Sequence, residues 1–511
     1  MNENLYALLQ SRFPADRAMI ALETAAGKTY SYAELEATTA RYAGFIRALG
    51  VAPGERICVQ VEKSPEALCL YLACLQSGAV YLPLNSAYQA GEVEYFLKDA
   101  TPSVVVHQAK TESWMGSLCA ALGIRHRFTL AEDNSTQNQS TSHSWHESAS
   151  EAAPMLDVCH RDAADLAAIL YTSGTTGRSK GAMITHLNLS SNARTLHRYW
   201  GFKAGDVLLH ALPIFHVHGL FVACHTALLN GSKMIFQAKF EATAILKALP
   251  RATVFMGVPT MYVRLLAEPG FTREHCANIR LFVAGSAPLL AETFDAFKAR
   301  TGHTILERYG MTETGMITSN PLDGERRAGT VGSPLPDVQV RTTDEAGKAC
   351  AVDEIGGLQV KGDNVLPGYW QMPEKNAEEF TADGFFKTGD LGKISADGYV
   401  TIVGRSKDLV ISGGYNVYPK EIELLLDDID GITESAVIGL PHPDFGEAVA
   451  AVVVGEAKAT LVESEIIAKV KGKLAAFKIP KRIFIVDDLP RNAMGKVQKN
   501  ELRKRFSDTF K

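Results

Sequence analysis

Short apolar runs rich in β-branched residues recur along the chain, with helical stretches between them. They cover residues 56–62, 79–84, 103–107, 166–172, 206–213, 233–238, 252–259 and 279–285. Strands that alternate with helices at this spacing indicate largely parallel sheets that helices cover on both faces. The pattern therefore predicts an α/β fold with a large N-terminal domain of parallel sheets.

The sequence changes in character after about residue 400. Strand-like runs cover 399–405, 434–440, 448–456 and 482–488, and helical patterns cover 419–431 and 465–477. These elements suffice for a separate α+β domain. A polar, glycine-containing join at residues 404–408 places the predicted domains at residues 1–406 and 407–511. The polar segment 131–154 is predicted to be a surface loop of the first domain.

The charge balance excludes several classes of partner. Lysine and arginine number 52 against 57 acidic residues, so the chain of 511 residues has a formal charge of −5. It has no bulk positive field for nucleic acid or an anionic membrane, and no run of about 18 apolar residues. The eight cysteines show neither a CxxC pair nor zinc spacing. We therefore expect a cytoplasmic protein with reduced thiols, no targeting peptide and small-molecule substrates.

A stretch rich in glycine, serine and threonine, Tyr171-Thr-Ser-Gly-Thr-Thr-Gly-Arg-Ser-Lys-Gly181, follows a strand-like run. Glycines let backbone N–H groups approach phosphate oxygens, while hydroxyls and a lysine add donors and charge. The composition suits a phosphate-binding loop, although such a segment alone is also typical of a flexible turn. The lysine follows a serine, so the stretch departs from GxxxxGK[ST] and a Walker-type NTPase is disfavoured.

Two further stretches carry candidate chemistry. In Arg308-Tyr-Gly-Met-Thr-Glu-Thr314, Glu313 could hold Mg²⁺, Thr312 could donate to a phosphate, and Tyr309 offers an aromatic face for a purine. In isolation, a turn with a solvated glutamate is the simpler interpretation. In Phe386-Lys-Thr-Gly-Asp390, the carboxylate could accept from both hydroxyls of a ribose, although a TGD turn alone is weak evidence.

The order of the motifs is more specific than any one of them. The succession YTSGTTGRSKG, LPIFHVHG, GSAPL, RYGMTE, KTGD, GRSKD and PRNAMGKVQK resembles the adenylate-forming superfamily of acyl-CoA synthetases over nearly the whole chain. Stretches such as HALPIFHVHGLFVA, GVPTMYVRLL and LERYGMTET look most like malonyl-CoA synthetases. The resemblance implies a smaller β-barrel-like part in the N-terminal domain and a small, mobile α+β C-terminal domain.

The resemblance also implies a two-step reaction. ATP and a carboxylate first give an acyl-adenylate and pyrophosphate, and the C-terminal domain then rotates so that the thiol of coenzyme A displaces AMP. By motif, ATP or AMP would contact Thr172, Ser173, Gly174, Thr175, Thr176, Gly177, Lys180, Gly285, Ser286, Ala287, Pro288, Glu307, Arg308, Tyr309, Gly310, Met311, Asp390 and Arg405.

Within that set the resemblance assigns separate roles. The loop from Thr172 to Lys180 would wrap the β- and γ-phosphates, and Thr312 would contact the α-phosphate. Glu313, with Thr176, would hold Mg²⁺. Asp390 and Arg405 would grip the ribose, and the residues of GSAP would flank the adenine against Tyr309. His216 would lie at the mouth of the acid pocket, where related enzymes move an aromatic or histidine side chain between the two steps.

The C-terminal motifs imply moving parts. Lys496 matches the mobile catalytic lysine of the superfamily, although from the residues alone it is one of several lysines in a basic tail. Lys407 occupies the hinge position, where most members carry Asp and some carry Lys. Gly413 and Gly414 match the coenzyme A tunnel. A protein acetyltransferase that modified Lys496 would remove its charge, which we state as a hypothesis.

Two arginines suggest the acid. By the resemblance, Arg308 occupies a position that lines the acid pocket, where peptide-synthetase domains usually carry a small or apolar residue. Arg264 lies on a predicted helix that follows the strand-like run 252–259. Ser286 and His216 could add hydrogen bonds. A buried guanidinium implies an anionic second group on the substrate, which indicates malonate, with methylmalonate as a second substrate. The alternative is that Arg308 pairs with an internal acid such as Glu307 or Asp323.

Two other functions remain open from the sequence. One is a stand-alone adenylation enzyme that activates another small carboxylic acid and loads coenzyme A or a carrier-protein thiol. The other is a non-catalytic protein that retains the nucleotide site. Against the second, the candidate residues Lys180, Thr312, Glu313, Asp390, Arg405 and Lys496 are all present.

Overall fold

The computed structural model describes residues 2–130, 143–172, 179–412, 415–456, 461–471, 473–474, 476–492 and 495–510. These residues fall into two compact units. The N-terminal unit comprises Met1–Gly329, Ser333–Gln339 and Lys361–Gly384, and the C-terminal unit comprises Thr330–Gly332, Val340–Val360 and Phe385–Lys511. The predicted division into domains at residues 1–406 and 407–511 stays a prediction.

The first part of the N-terminal unit alternates strands and helices. Its strands are β1 (Ile20–Thr24), β2 (Thr29–Ser31), β3 (Arg56–Gln60), β4 (Val80–Pro83), β5 (Val104–His107), β6 (His126–Thr129), β7 (His143–Ser144), β8 (Leu166–Thr172) and β9 (Lys180–Thr185). Its helices are α1 (Leu5–Gln10), α2 (Tyr32–Ala48), α3 (Pro65–Ser77), α4 (Ala90–Ala100), α5 (Glu112–Ala121), α6 (Trp145–Ser150) and α7 (His186–Tyr199).

The rest of this unit continues the alternation. Its strands are β10 (Val207–His210), β11 (Lys233–Phe236), β12 (Val254–Gly257), β13 (Leu281–Ala284), β14 (Leu306–Met311), β15 (Gly315–Ser319) and β16 (Ser333–Pro334). A π-helical segment, His218–Cys224, precedes α8 (His225–Leu229), and further helices are α9 (Ala242–Ala248), α10 (Pro259–Leu266), α11 (Ala291–Thr301) and α12 (Pro373–Glu379).

Two largely parallel sheets form the N-terminal unit. The seven-stranded sheet has the order β7-β6-β5-β3-β4-β8-β9, and only the β8–β9 pair is antiparallel among its described pairs. The nine-stranded sheet has the order β16-β15-β14-β13-β12-β10-β11-β1-β2 and is parallel from β14 to β1. Each of the eight predicted runs contains one of these strands, so the prediction of an α/β fold is confirmed.

Local sequence accounts for the helix boundaries. Ser31 and Glu34 form a reciprocal capping box at the start of α2. Ser64 caps α3, Pro65 occupies its first turn, and Gly78 ends it in a left-handed conformation. Helix α3 is apolar on almost all sides and is buried except at Glu66, as expected for a helix in the interior.

The predicted loop at 131–154 is wrong at its C-terminal end. Residues 131–142 lie outside the described residues, but β7 and α6 follow directly. Trp145 of α6 is fully buried, and its ring contacts those of Tyr42, Phe45 and Phe128. Burial of one large aromatic side chain thus outweighs the polar composition around it.

The C-terminal unit contains two sheets. Its strands are β17 (Gln339–Thr343), β18 (Gly356–Lys361), β19 (Phe386–Ile394), β20 (Val400–Arg405), β21 (Val410–Ser412), β22 (Tyr415–Val417), β23 (Ile432–His442), β24 (Gly446–Gly455) and β25 (Arg482–Val486). Its helices are α13 (Pro419–Asp427), α14 (Glu463–Val470) and α15 (Lys499–Arg505). Short 3₁₀ turns of the chain are Ala109–Thr111, Leu249–Arg251, Arg273–Cys276, Ser406–Asp408 and Ala476–Lys478.

The expected barrel-like part is an open sheet. Strands β17-β18-β19-β20 form a four-stranded sheet in this order, and the described strands do not close it into a barrel. The second sheet has the order β22-β21-β24-β23, with β25 paired to β24. Alternate residues of β24 contribute to two cores, because side chains along a strand point to opposite faces. Val449 and Val453 pack with α13 and α14, whereas Val452 packs with Leu502 of α15.

No helix among the described residues is both long and apolar enough to cross a membrane.

Candidate active site

Three polar elements lie at the carboxyl edge of the nine-stranded sheet. The segment with His216 and His218 follows β10, the loop Gly285–Pro288 follows β13, and Arg308 lies within β14. These strands belong to one parallel array, so their carboxyl ends share an edge. Ligands of open α/β sheets bind at this edge, and we call this group the acid pocket.

Arg308 is the buried charge of the acid pocket. The residue is 2% exposed, and its Nε and Nη2 atoms are buried without a hydrogen-bond partner. Neither nitrogen is therefore bonded to Glu307 or Asp323, the internal acids considered above. Burial lowers the pKa of Arg308 to about 9, and the guanidinium stays charged at neutral pH. An unpaired buried cation is costly, so the position favours an anionic ligand.

The backbone at Gly285 leaves room for the guanidinium. A Cβ atom at Gly285 would lie 2.4 Å from Nη1 of Arg308, so only glycine allows this approach. The next residue, Ser286, has a φ of +72°, which an L-residue seldom adopts. Strained backbone of this kind concentrates at functional sites. The GSAP loop thus lies against the guanidinium of Arg308.

Two histidines lie beside Arg308. Burial and the charge of Arg308 lower the pKa of His216 to about 4, and the same causes lower that of His218 well below its usual range. Both are therefore neutral at pH 7. The Nδ1 atom of His218 lies 3.3 Å from the hydroxyl of Ser286, while its buried Nε2 has no partner. The sequence prediction contained His216 but missed His218, the second histidine of FHVHG.

Arg264 does not share this buried position. It is exposed on α10, and its guanidinium carbon lies 5.7 Å from the centre of the Phe240 ring. We therefore do not include Arg264 in the acid pocket.

The predicted phosphate loop joins the hairpin strands β8 and β9. Thr172 and Lys180 are cross-strand partners at its two ends. The predicted contacts Ser173, Gly174, Thr175, Thr176 and Gly177 lie outside the described residues. The Lys180 ammonium lies 3.2 Å from the Glu379 carboxylate and 4.1 Å from the centre of the Tyr369 ring. Lys180 is thus held at the base of the loop.

Glu313 is buried and oriented by two hydroxyls. Its Oε1 atom accepts from Thr172 at 3.3 Å and from Tyr369 at 3.0 Å. Tyr369 therefore contacts both the predicted metal ligand and the predicted phosphate lysine. The sequence analysis missed Tyr369, because the residues next to it in the sequence give no sign that its side chain contacts two motifs far away in the chain. Thr312 is half-buried beside Glu313.

The other residues assigned by motif lie on or near β14. Tyr309, Gly310 and Met311 are half-buried, as are Ser286 and Ala287, whereas Pro288 is exposed. Glu307 is buried and its Oε1 accepts from the backbone N–H of Leu289. The Glu307 charge partly offsets the lowering of the Arg308 pKa.

The C-terminal unit carries a second polar group. Asp390 of β19 and Arg405 of β20 are cross-strand partners, with Nε of Arg405 2.6 Å from Oδ1 of Asp390. Asp390 is buried, and Arg405 also donates to the carbonyl of Thr388. Arg405 thus fixes the orientation of the Asp390 carboxylate. A carboxylate with a fixed orientation can accept hydrogen bonds from two neighbouring hydroxyls.

Lys496 is held through its backbone by Asn492. Its backbone N–H donates to the Asn492 side chain at 3.0 Å. The residue has exposed surface, yet desolvation of the ammonium and the charge of Arg405 lower the pKa of Lys496 to about 8.

Desolvation also lowers the pKa of Lys407, which is exposed in the turn Ser406–Asp408. Gly413 and Gly414 lie outside the described residues.

Known proteins are similar to this chain over most of its length. A malonate–CoA ligase of Arabidopsis thaliana is 36% identical, with 94% of this chain and 85% of the relative covered. A feruloyl-CoA synthase of an Amycolatopsis species is 34% identical, with 94% of each chain covered. The crystal structure of ATP-bound MatB from Rhodopseudomonas palustris matches with a TM-score of 0.95, 52% identity and complete coverage of both chains.

These relatives differ in the acid that their names state, so the acid has to be inferred from the pocket. The profile of the AMP-binding enzyme family matches residues 9–370, and that of the AMP-binding enzyme C-terminal domain matches residues 421–496. The motifs, the sheets and these matches lead to one conclusion: the chain belongs to the AMP-binding enzyme family.

Proposed function

We propose that this protein uses ATP to ligate malonate to coenzyme A, through an enzyme-bound malonyl-adenylate, with release of pyrophosphate and AMP. It is an AMP-forming acid–thiol ligase. The observation that carries the choice of malonate is the buried guanidinium of Arg308, whose Nε and Nη2 have no partner. The second carboxylate of malonate supplies the acceptors that these two nitrogens need.

The same guanidinium discriminates against monocarboxylates. Acetate leaves it buried and unpaired, which costs about 2–5 kcal/mol, or about 30- to several-thousand-fold in specificity. Methylmalonate keeps both carboxylates and adds one methyl group, worth only about 1–3 kcal/mol. We therefore propose methylmalonate as a second substrate.

The neutral histidines complete the proposed acid pocket. Because His216 and His218 are uncharged at pH 7, they add no second cation beside Arg308. Each imidazole can still donate one hydrogen bond and accept another. His216 is proposed at the mouth of the pocket, and the buried Nε2 of His218 can donate to a substrate oxygen when Ser286 donates to Nδ1.

The nucleotide residues follow from their motifs and contacts. Lys180 is proposed to bind the β- and γ-phosphates, together with the loop after Thr172, and Thr312 the α-phosphate. Asp390 accepts from the ribose hydroxyls while Arg405 holds its carboxylate in place. The GSAP loop and Tyr309 flank the adenine.

Glu313 fits a magnesium ion. A carboxylate is the kind of hard oxygen ligand that Mg²⁺ prefers, and Mg²⁺ is usually held by one or two carboxylates plus substrate phosphates. Glu313 and Thr176 would hold the ion, which when bound neutralises phosphate charge. The hydroxyls of Thr172 and Tyr369 keep the Glu313 carboxylate in one orientation.

Three further proposals concern domain movement, regulation by acetylation and cellular location. We propose that residues 407–511 move as a domain about Lys407, and that acetylation of Lys496 by a protein acetyltransferase would stop the first half-reaction. We also propose a cytoplasmic location, because all eight cysteines are free and six are buried, which suits a reducing compartment.

The function is tested by AMP and pyrophosphate release from ATP and Mg²⁺ with malonate, methylmalonate, succinate, acetate, benzoate or ferulate, each with and without coenzyme A. We expect malonate to exceed acetate by about a hundredfold in kcat/KM and continued AMP release to require coenzyme A. A preference for acetate or an aromatic acid would overturn the proposed pocket. Turnover with a carrier-protein thiol but not with coenzyme A would overturn the proposed acceptor.

Gly414→Leu is expected to spare adenylation and block thioester formation. The physical reason is that the pantetheine arm has to pass close to the backbone at a position where the superfamily carries glycine. Pyrophosphate release in a single turnover measures the first step, and coenzyme A consumption measures the second. Gly413→Ala and Gly414→Ala serve as milder variants, and full coenzyme A turnover by Gly414→Leu would contradict the assignment.

A further inference from the structure

A buried lysine lies next to the carboxyl end of β10 in the N-terminal unit. Lys63 is 7% exposed, and its Nζ lies 2.7 Å from Nδ1 of His210 and 2.9 Å from the His210 carbonyl oxygen. The same Nζ lies 4.2 Å from the centre of the Phe236 ring. Within the described residues, no acidic side chain forms an ion pair with it within 4.0 Å. A charged amine without an anion is costly in the interior, and burial lowers the pKa of Lys63 to about 7. Stability alone therefore does not account for a lysine at this position.

The neighbouring contact fixes the tautomer of His210. Its Nε2 lies 2.8 Å from the carbonyl oxygen of Gly219, which can only accept a hydrogen bond. Nε2 therefore carries the hydrogen. Burial keeps His210 neutral, since its pKa lies well below the usual range, and so Nδ1 must accept from Lys63. The hydrogen bonds run in one direction, from Lys63 through His210 to Gly219.

Gly219 belongs to the π-helical segment His218–Cys224. Such segments are rare and are frequently found at functional sites. A Cβ atom at Gly219 would lie 2.0 Å from the Pro213 carbonyl oxygen, so the start of the segment packs tightly against the preceding loop. His210 thus donates to the carbonyl of Gly219, the residue directly after His218.

The segment presents the histidines of the acid pocket. His218 lies 3.3 Å from Ser286, and the charge of Arg308 acts on both His216 and His218. The backbone N–H of Leu220 donates to the His216 carbonyl at 3.0 Å, which joins both histidines to the first turn of the segment. A shift of the Gly219 carbonyl would therefore move both imidazoles.

We propose that Lys63 and His210 are positioning residues for acid recognition: their directed hydrogen bonds hold the π-helical segment so that His216 and His218 face the substrate acid beside Arg308. The inference rests on the proposed function, because it takes the acid pocket as the place where the substrate binds. Neither residue touches substrate. They act on the KM for the acid through the backbone at Gly219.

The test compares Lys63→Met, His210→Leu and His210→Gln with the unaltered protein. Met keeps the length of the lysine but cannot donate, and Leu cannot relay a hydrogen bond. Gln can accept from Lys63 through its amide oxygen and donate to Gly219 through its amide nitrogen. Tyr71→Phe is the matched control, because it removes another buried hydrogen bond to a histidine, that of Tyr71 to His225 at 2.8 Å just after the same segment.

We expect Lys63→Met and His210→Leu each to raise the KM for the acid about tenfold or more while the KM for ATP changes less than about threefold. The double variant should be no worse than either single one, since both break the same chain of bonds. His210→Gln should restore the acid KM to within about threefold, and Tyr71→Phe should lower the melting temperature without this selective effect.

Equal changes in both KM values, or a lowered melting temperature with an unchanged acid KM, would reduce the pair to a structural role and overturn the inference. Failure of His210→Gln to rescue would do the same. The proposed function can fail separately: if the unaltered protein prefers another acid, the variants are compared on that acid. A selective effect there supports the positioning role and rejects malonate.

Discussion

Arg308→Ala is expected to lower kcat/KM for malonate by about 30- to several-thousand-fold and to abolish the preference over acetate. The side chain removed lies against the GSAP loop, is buried and charged, and has two nitrogens without a hydrogen-bond partner. Malonate then has a carboxylate in a pocket without a countercharge, whereas acetate loses nothing. The measurement is kcat/KM for both acids at saturating ATP and coenzyme A.

Two further substitutions separate recognition from folding. Arg308→Lys keeps the charge but loses the planar fork of donors, so an intermediate loss is expected. Arg308→Met removes an unpaired buried cation and fills similar volume, so the melting temperature should stay the same or rise while activity with malonate falls. If both acids lost activity equally in all three variants, Arg308 would have a structural role and the proposal of a dicarboxylate would fail.

Lys496→Ala is expected to reduce adenylate formation by about a hundred- to a thousandfold, with a much smaller effect on thioester formation from added malonyl-AMP. The ammonium stabilises the charge that develops between the attacking carboxylate and the α-phosphate, and the second half-reaction does not need it. Pyrophosphate release measures the first step, and conversion of synthetic malonyl-AMP with coenzyme A measures the second.

The lowered pKa of Lys496, about 8, adds a pH dependence to that prediction. The protonated form is the active one, so kcat/KM for adenylation should fall as the pH rises through about 8. Arg stays protonated at this pH, so Lys496→Arg should retain part of the activity and move this decline to higher pH. Equal loss of both half-reactions in Lys496→Ala would contradict the assigned role.

The strands could be predicted because their signal is local. Each run such as 56–62 or 103–107 is apolar and β-branched enough to be a buried parallel strand wherever it occurs, and the structure contains β3 and β5 there. Trp145 shows the limit of this reasoning. Its neighbours are polar, and its burial depends on Tyr42, Phe45 and Phe128, which are distant in sequence.

The residues of the candidate site also fall into two groups: those that sequence motifs indicate and those that only the fold brings to the site. Arg308, Glu313 and Asp390 lie in motifs whose order is visible in the sequence, so each could be named as a candidate without the fold. Tyr369 and Lys63 could not be, since each acts on groups more than fifty residues away: Tyr369 on Glu313, and Lys63 on His210. Such contacts exist only after the sheets have formed, and no periodicity or spacing encodes them.

The ion pair between Lys180 and Glu379 changes how nucleotide binding should be understood. The lysine proposed for the β- and γ-phosphates has the Glu379 carboxylate 3.2 Å away, and it lies 4.1 Å from the centre of the Tyr369 ring. Binding of ATP is then an exchange of one anion for another. A triphosphate carries enough charge to displace a single carboxylate, whereas AMP has no β- or γ-phosphate to offer. After pyrophosphate leaves, Glu379 can take its place beside Lys180, which favours departure of the first product before coenzyme A reacts.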